Sequence, residues 1–218
     1  MLAIPLVEIN LSASTGGMPG DVRTFLREAD RRIERFQMES RIPGFVPSDF
    51  ASAYGILRSL SEGGIARGSQ FCEWGSGFGV VTCLAAMLDF EAWGIEIEAE
   101  LVAAAQQLAE DYDLPAEFIH GSFIPAGSAD FIDSGEEYAW LTPRVGDRPG
   151  EMERDPDDFD TIFAYPWPDE EELTEKLFER YANDGAILAT YHSGESWRVR
   201  RLEKRKPPAT KRPKRKGR

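Results

Sequence analysis

A run of glycines that starts beside an acidic residue is the part of the sequence whose spacing points most directly to chemistry. Glu73 is followed by Gly75, Gly77 and Gly79, and an apolar stretch from Val80 to Leu88 comes directly after them. Glycines allow the backbone to bend sharply and a ligand to approach within contact distance, where a Cβ would collide. The pattern predicts a nucleotide-binding turn between a strand and a helix.

A second acidic residue, Glu96, stands where the next predicted strand ends, 17 residues beyond Gly79. A carboxylate at the carboxyl edge of a parallel sheet can accept hydrogen bonds from both ribose hydroxyls of a nucleoside. A dinucleotide site would also need a small third residue in G-x-G-x-x-G, but that position is the β-branched Val80. The spacing therefore predicts a nucleoside ligand without a pyrophosphate. Glu98 is interpreted as an acid that stabilises a helix N-terminus.

The segment from Glu73 to Gly79 has the form acid-x-G-x-G-x-G and resembles motif I of class I S-adenosylmethionine methyltransferases. The resemblance covers about residues 71 to 191 and implies a Rossmann-like α/β fold with S-adenosyl-L-methionine as the cofactor. It also implies the cofactor-binding residues: Glu73 near the aminoacyl group, Gly75, Gly77 and Gly79 as walls, Glu96 on the ribose, Ile97 on the adenine, and Ser122 where many members carry an acid.

A looser resemblance concerns the stretch from Gly44 to Ser48, which precedes the glycine turn. Small protein-lysine methyltransferases of the seven-β-strand type have a loop in this place that closes over the cofactor. The likeness implies the same closing role for residues 44–48. It also makes a protein lysine one candidate acceptor of the methyl group.

The predicted fourth strand ends in Ala164-Tyr165-Pro166-Trp167-Pro168-Asp169, where the family places residues that face the transferred methyl group. The prolines stiffen a loop that presents aromatic side chains at the ligand edge of the sheet. Tyr165 and Trp167 are therefore the predicted catalytic residues, and packing aromatics are the alternative interpretation. Aromatic faces attract cations, so the loop favours a nitrogen acceptor. His192 is either a surface residue or a proton acceptor.

Short apolar runs alternate with helical stretches in the rest of the chain, which predicts a parallel sheet with crossover helices. Predicted strands cover about 70–74, 92–97, 117–120, 159–164 and 186–191, with at most one further strand around 197–202. Predicted helices cover 21–39, 80–88, 100–111 and 170–182, with another that Ser48 or Asp49 caps and that runs to about 60. The family's closing two-strand hairpin would not fit into residues 194–204, so we expect a sheet shortened to five or six strands.

Charge divides the sequence into an acidic body and a basic end. Residues 198–218 carry a net charge of +11, whereas residues 1–197 carry −24. The predicted organisation is an N-terminal helical cover with the pre-motif loop over 1–68, an S-adenosylmethionine-binding domain over 69–203, and a disordered Lys/Arg/Pro-rich tail over 204–218. The tail predicts weak contact with an acidic surface or a nucleic acid. Residues 125–158 are expected to hold one helix and a mobile loop.

Several other classes of protein receive no support from the sequence. No apolar run approaches the roughly 18 residues of a membrane span, and no basic signal-peptide start precedes an apolar stretch, so we expect a cytoplasmic protein without membrane contact. The two histidines and two cysteines lack metal-ligand spacing, so no metal site is predicted. Cys72 and Cys83 are expected to be buried thiols.

Two functional hypotheses follow from these patterns. The first is an S-adenosylmethionine-dependent methyltransferase that acts on nitrogen, with a protein amine or a small molecule as the acceptor. The alternative is a non-catalytic S-adenosylmethionine-binding or RNA-tethered protein that has the methyltransferase fold, which the basic tail and the lack of a strong catalytic base both favour.

Overall fold

Alternating strands and helices build one mixed β-sheet with helices packed on its faces. The computed structural model describes residues 6–11, 16–40, 42, 44–125, 128, 156–192 and 196–204. The strands are β1 (Leu6–Glu8), β2 (Gln70–Trp74), β3 (Glu91–Glu96), β4 (Ala116–His120), β5 (Thr161–Ala164), β6 (Ile187–His192) and β7 (Ser196–Leu202). The helices are α1 (Gly20–Glu39), α2 (Phe50–Glu62), α3 (Val80–Ala86), α4 (Ala99–Asp111) and α5 (Glu171–Tyr181).

The strand order across the sheet is β1-β7-β6-β5-β2-β3-β4. β2 pairs in parallel with β3 and β5, and the parallel pairing continues to β4 on one side and β6 on the other. β7 returns antiparallel to β6. Strands that are buried on both faces have nearly continuous apolar sequences, which is why the sequence pattern located β2, β3, β5 and β6. The predicted Rossmann-like α/β fold class is confirmed.

The predicted count of five or six strands is wrong, because the described residues form seven. The additional strand is β1, which pairs antiparallel with β7 from Leu6 opposite Leu202 to Glu8 opposite Arg200. β1 therefore forms the edge of the sheet beside β7. A strand of three residues is too short to show a period-two pattern, so no local signal in the sequence predicts it.

The two faces of the sheet carry different helices. On one face, apolar residues of α1 to α4 pack together with Phe71 of β2 and Phe118 of β4. On the other face, α5 buries Leu173, Leu177 and Phe178 against alternate residues of the same strands, such as Cys72. This alternation leaves the carboxyl ends of the parallel strands open between the helix layers, at the edge where ligands bind in such folds.

The first arginines of the basic end belong to the sheet. Arg200 in β7 is buried, and its Nη2 lies 2.7 Å from Oε1 of Glu175 on α5. Arg201 donates from Nη2 to the carbonyl of Ile65 at 2.8 Å. The predicted disordered tail beyond Lys204 and most of the predicted helix and loop over 125–158 lie outside the described residues. Within the described ranges, no helix is long and apolar enough to cross a membrane.

The start of α3 is fixed by Gly79, which is its N-cap residue. Gly79 has φ +74°, a left-handed conformation that strains any residue with a side chain. A Cβ built there would lie 2.5 Å from a ring carbon of Phe118 and 2.6 Å from the Cβ of Ala105. Because Gly79 has no side chain, α3 can approach β4 and α4 closely. This contact fixes the position of the turn relative to the sheet.

We predict that Gly79→Ala destabilises the fold. The left-handed backbone strain and the overlap with Phe118 together are expected to cost about 2–4 kcal/mol of the free energy of unfolding, measured by urea titration. Gly121→Ala is the matched control, because a Cβ there meets no atom within 4 Å. A Gly79→Ala protein as stable as the Gly121→Ala protein would contradict this account of the turn.

Candidate active site

A cleft opens where the carboxyl ends of four parallel strands meet. It is lined by the turn after β2, the ends of β3 and β4, the loop after β5 and residues 44–48. Ligands of open α/β folds bind in the crevice at this edge of the sheet, so the cleft is the candidate ligand site.

Glu96 joins the turn after β2 to the end of β3. The side chain is buried, and its Oε2 accepts a hydrogen bond from the amide of Gly77 at 2.8 Å. Its Oε1 accepts from the amides of Ile97 at 2.6 Å and Glu98 at 2.9 Å. A carboxylate has about four acceptor positions. Three of them are used by backbone amides of the protein, and Glu96 also lines the cleft.

Glu73 is the second buried carboxylate of the cleft, with 5% of its surface exposed. Its Oε2 accepts from both the amide of Thr82 at 2.9 Å and the hydroxyl of Thr82 at 2.6 Å. These hydrogen bonds favour the ionised form, but burial outweighs them and raises the pKa of Glu73 to about 8. A positively charged group in the cleft would reverse that balance.

The three glycines of the turn have different surroundings. Gly75 has φ +74°, and a Cβ there would point into open space, so the backbone itself forms the cleft wall. Gly77 also lines the cleft, and a Cβ there would come within 2.8 Å of the Phe45 ring. Gly79 is not among the cleft-lining residues, because its Cα faces α4 and β4. The structure therefore gives Gly79 a packing role.

Aromatic rings hold the pre-motif loop against the turn. Phe45 stacks on Phe78 with ring centroids 6.4 Å apart, and Phe36 of α1 meets both rings edge-on. Together these rings hold residues 44–48 beside the glycine turn, and all five of these residues line the cleft. The closing role of this loop stays a prediction.

The adenine end of the predicted site lies between β3 and β4. Ile97 is half-buried and lines the cleft, and its carbonyl accepts a hydrogen bond from Nε2 of His120 at 2.9 Å. Ser122 also lines the cleft, and its hydroxyl accepts from the amide of Ile124 at 3.2 Å. Phe123 stacks on Trp74 with ring centroids 5.1 Å apart. The two rings form an aromatic part of the cleft wall beside Ile97 and Ser122.

The loop after β5 forms another part of the cleft wall. Tyr165 is half-buried and meets Tyr191 edge-on, with centroids 5.0 Å apart. Trp167 is 40% exposed, and both rings line the cleft together with the buried Pro166. Tyr165 and Trp167 therefore follow the strand next to β2, which carries the glycine turn, and stand on a loop that the prolines stiffen.

Two further cleft residues were not predicted from the sequence. Glu170 is 7% exposed and lines the cleft beside the aromatic loop. Ser76 is buried in the cleft wall, and its hydroxyl has no hydrogen-bond partner among the described residues. Glu170 stands within a run of acids at a helix start, which is a common solvated pattern, and Ser76 fills a variable position of the motif. The sequence alone therefore does not distinguish Glu170 or Ser76 from residues of the same type that line no cleft.

His192 is buried rather than exposed, and it points away from the chemistry of the cleft. Its Nδ1 lies 2.7 Å from Oε1 of Glu171, and its Nε2 lies 2.7 Å from the hydroxyl of Thr190. His192 is not among the described residues that line the cleft. The imidazole therefore ties the end of β6 to α5.

Comparison with known proteins identifies the fold. No protein-family model matches the chain, and no curated protein matches it. An RNA methyltransferase from Salinibacter ruber in complex with S-adenosyl-L-homocysteine is similar in structure, at a TM-score of 0.51 and 16% identity over 75% of this chain and 97% of that chain.

Two other solved structures are more distant. One is an O-methyltransferase from Bacillus cereus, at a TM-score of 0.49 and 14% identity over 81% of this chain and 67% of that one. The other is a tRNA (uracil-54, C5)-methyltransferase from Pyrococcus abyssi, at a TM-score of 0.43 and 17% identity, where the match covers 70% of this chain but only 31% of that chain. The likeness to the Salinibacter ruber enzyme, taken with the strand order, shows that this chain has the class I methyltransferase fold.

Proposed function

We propose that the protein is an S-adenosylmethionine-dependent methyltransferase that transfers the methyl group to a nitrogen atom. The observation that carries the proposal is the meeting of Glu73 and Glu96 in one cleft, on either side of the glycine turn. One buried carboxylate suits an ammonium group, and the other suits ribose hydroxyls. That pair of groups, without a phosphate, is what S-adenosylmethionine offers.

The cleft residues fit this cofactor in several independent ways. Glu73 would hold its amino group, Glu96 its ribose, and Ile97 and Ser122 would lie along its adenine. Val80 also lines the cleft, and its branched side chain occupies the place where a pyrophosphate would need a small residue.

S-adenosylmethionine, when bound, supplies a methyl group on a positively charged sulfur atom for in-line displacement. The task of the protein is then to align the acceptor and to exclude water. Residues 44–48 line the cleft, and the stacked Phe45 and Phe78 rings give it an apolar wall that would help to exclude water. Tyr165 and Trp167, on the loop after β5, would align the acceptor.

A nitrogen acceptor is supported by the character of the wall after β5. The faces of Tyr165 and Trp167 attract the cation that forms when an amine is methylated. The comparisons name RNA and O-methyltransferases among the similar structures and give no support to a protein lysine in particular. We therefore propose an amine acceptor without choosing between a small molecule and a protein side chain.

One observation favours the alternative of a binding protein without turnover: among the described residues that line the cleft there is no histidine to serve as a base. Methyl transfer from tritiated S-adenosylmethionine to lysate fractions of protein, RNA and small molecules separates the two hypotheses. Label on an amine in the protein or small-molecule fraction supports the enzyme. Tight cofactor binding without label in any fraction supports the alternative.

We predict that Glu96→Gln weakens cofactor binding. The new amide group would place an N–H against the amide of Gly77, donor against donor, and the variant loses the negative acceptor for the ribose. We expect S-adenosylhomocysteine to bind about 30-fold more weakly by calorimetry, which corresponds to about 2 kcal/mol.

Glu100→Gln is the control for this experiment, because Glu100 is exposed in the first turn of α4 and does not line the cleft. It should bind within twofold of the parent protein. Absence of saturable heat in the parent protein with either cofactor form would overturn the proposed function. Unchanged affinity of the Glu96→Gln variant would overturn the role of Glu96.

We also predict that cofactor affinity rises with pH. Because burial raises the pKa of Glu73 to about 8, its carboxyl group is mostly protonated at pH 6.5. An ammonium group bound beside it favours the ionised form and lowers that pKa, so binding releases a proton below pH 8. Affinity should therefore increase by about tenfold from pH 6.5 to pH 8.5 and then level off.

Calorimetry in phosphate and in Tris, whose ionisation heats differ, measures the released proton directly. The Glu73→Gln variant should bind more weakly and show no pH dependence in this range, whereas Glu100→Gln should behave as the parent. Affinity that stays level across pH 6.5–8.5 without proton release would show that Glu73 does not meet the ammonium group.

A further inference from the structure

A short backbone segment between β3 and α4 belongs to the cleft wall. Glu96, Ile97 and Glu98 make up this segment, and all three line the cleft. The regular pairing of β3 with β4 ends at Glu96, which stands opposite His120. Residues 97 and 98 therefore lie beyond the ladder of backbone hydrogen bonds that fixes a strand in its sheet, and their position depends on other contacts.

Backbone groups of the segment itself hold part of it. The amides of Ile97 and Glu98 both donate to Oε1 of Glu96, at 2.6 Å and 2.9 Å. The carbonyl of Glu98 accepts from the amides of Leu101 at 3.0 Å and Val102 at 3.1 Å, where α4 begins. The two hydrogen bonds to Glu96 lie within the segment, so they set its shape rather than its position beside β4.

His120 attaches this segment to β4. Nε2 of its imidazole lies 2.9 Å from the carbonyl oxygen of Ile97, and the amide of Gly121 donates to the carbonyl of Glu96 at 2.8 Å. A carbonyl oxygen only accepts, so Nε2 must carry a hydrogen, either in the neutral Nε2–H tautomer or in the imidazolium. The imidazole thus extends the attachment of the segment by one residue beyond the last backbone hydrogen bond.

His120 acts on the cleft through other residues. It is half-buried, and it is not among the described residues that line the cleft. Ile97, which its hydrogen bond holds, and Ser122, two residues further along the chain, both line the cleft. The imidazole therefore joins the ends of the two strands that carry the residues assigned to the adenine.

We propose that His120 is a positioning residue of the cofactor site: its Nε2–H group holds the carbonyl of Ile97 and fixes the backbone that contacts the nucleoside half of S-adenosylmethionine. Without this donor, residues 97 and 98 can move relative to β4, and the ligand has to order them when it binds. The cost falls on the affinity for the adenosine part of the ligand. This inference rests on the proposed function, because it concerns the same cofactor.

The test compares two ligands by calorimetry on the full-length protein, at a pH above the pKa of Glu73. The ligands are S-adenosylhomocysteine and 5′-methylthioadenosine, which lacks the amino-acid end. His120→Phe keeps a ring at this position and removes the N–H donor. We expect both ligands to bind about tenfold more weakly to this variant, because they share the adenosine half.

His120→Gln is the rescue variant, because the side-chain amide of glutamine can donate an N–H to the same carbonyl. It should bind both ligands within about threefold of the parent protein. A purely structural role of this half-buried side chain would favour the aromatic ring of phenylalanine over glutamine, so the order of the two variants separates the two roles. Glu117→Gln is the matched control, since Glu117 is exposed on the same strand and does not line the cleft. It should bind within twofold of the parent.

The tautomer of His120 gives a second readout that needs no ligand. Long-range proton–nitrogen NMR spectra of the neutral ring should show the hydrogen on Nε2. In His192, Nδ1 lies 2.7 Å from the carboxylate of Glu171, so that ring should carry its hydrogen on Nδ1 and serves as an internal reference. A neutral His120 ring with its hydrogen on Nδ1 would overturn the hydrogen bond on which the inference depends.

The possible failures are distinguishable. If the parent protein binds neither ligand, the proposed function is wrong. If the parent binds both ligands but His120→Phe binds them as tightly, or if His120→Gln binds them as weakly as His120→Phe, the proposed function stands and the role of His120 is wrong. Weaker binding of S-adenosylhomocysteine alone also contradicts this role, because the loss would then lie outside the adenosine half.

Discussion

The carboxylate of Glu96 is the point at which two separate parts of the chain become one binding wall. It accepts hydrogen bonds from the amide of Gly77 after β2 and from the amides of Ile97 and Glu98 after β3. A buried carboxylate is stable only while such donors remain in place, so neither loop can move without leaving a charge unsatisfied. The shape of the turn, and with it the shape of the cleft, is thereby set before any ligand binds.

The two buried carboxylates beside the glycine turn, Glu73 and Glu96, differ in the hydrogen bonds that offset the cost of their burial. Glu96 has three amide donors from two loops, whereas among the described residues the hydrogen bonds to Glu73 come from Thr82. Burial raises the pKa of Glu73 to about 8, so its contribution to the free energy of unfolding of the ligand-free protein falls as the pH rises from 4.5 to about 8 and stays at that lower level above it. Binding sites often contain groups that lower the stability of the ligand-free protein and raise its affinity for the ligand.

Local patterns in the sequence were sufficient to predict the strands of the sheet and the helices that pack on its two faces. Strands β2 to β7 and all five described helices fall close to their predicted bounds, because buried runs and helical periodicity are local signals. β1 was missed because three residues carry no period and its partner β7 is remote in sequence. The role of Gly79 could not be predicted either, because a sequence motif does not say which side of a turn a Cα faces. Glu170 was hidden for a similar reason: only the three-dimensional cleft separates it from the exposed acids around it.

The pairing of β1 with β7 also affects the rate of folding. Leu6 lies beside Leu202, so this edge of the sheet joins residues that are almost the full described chain apart. The entropy of closing so long a loop has to be offset by contacts already made, and long-range pairing of this kind slows folding. The parallel centre around β2 and β5 can therefore form first, and the sheet edge beyond β7 can be completed only after the last strand has been added.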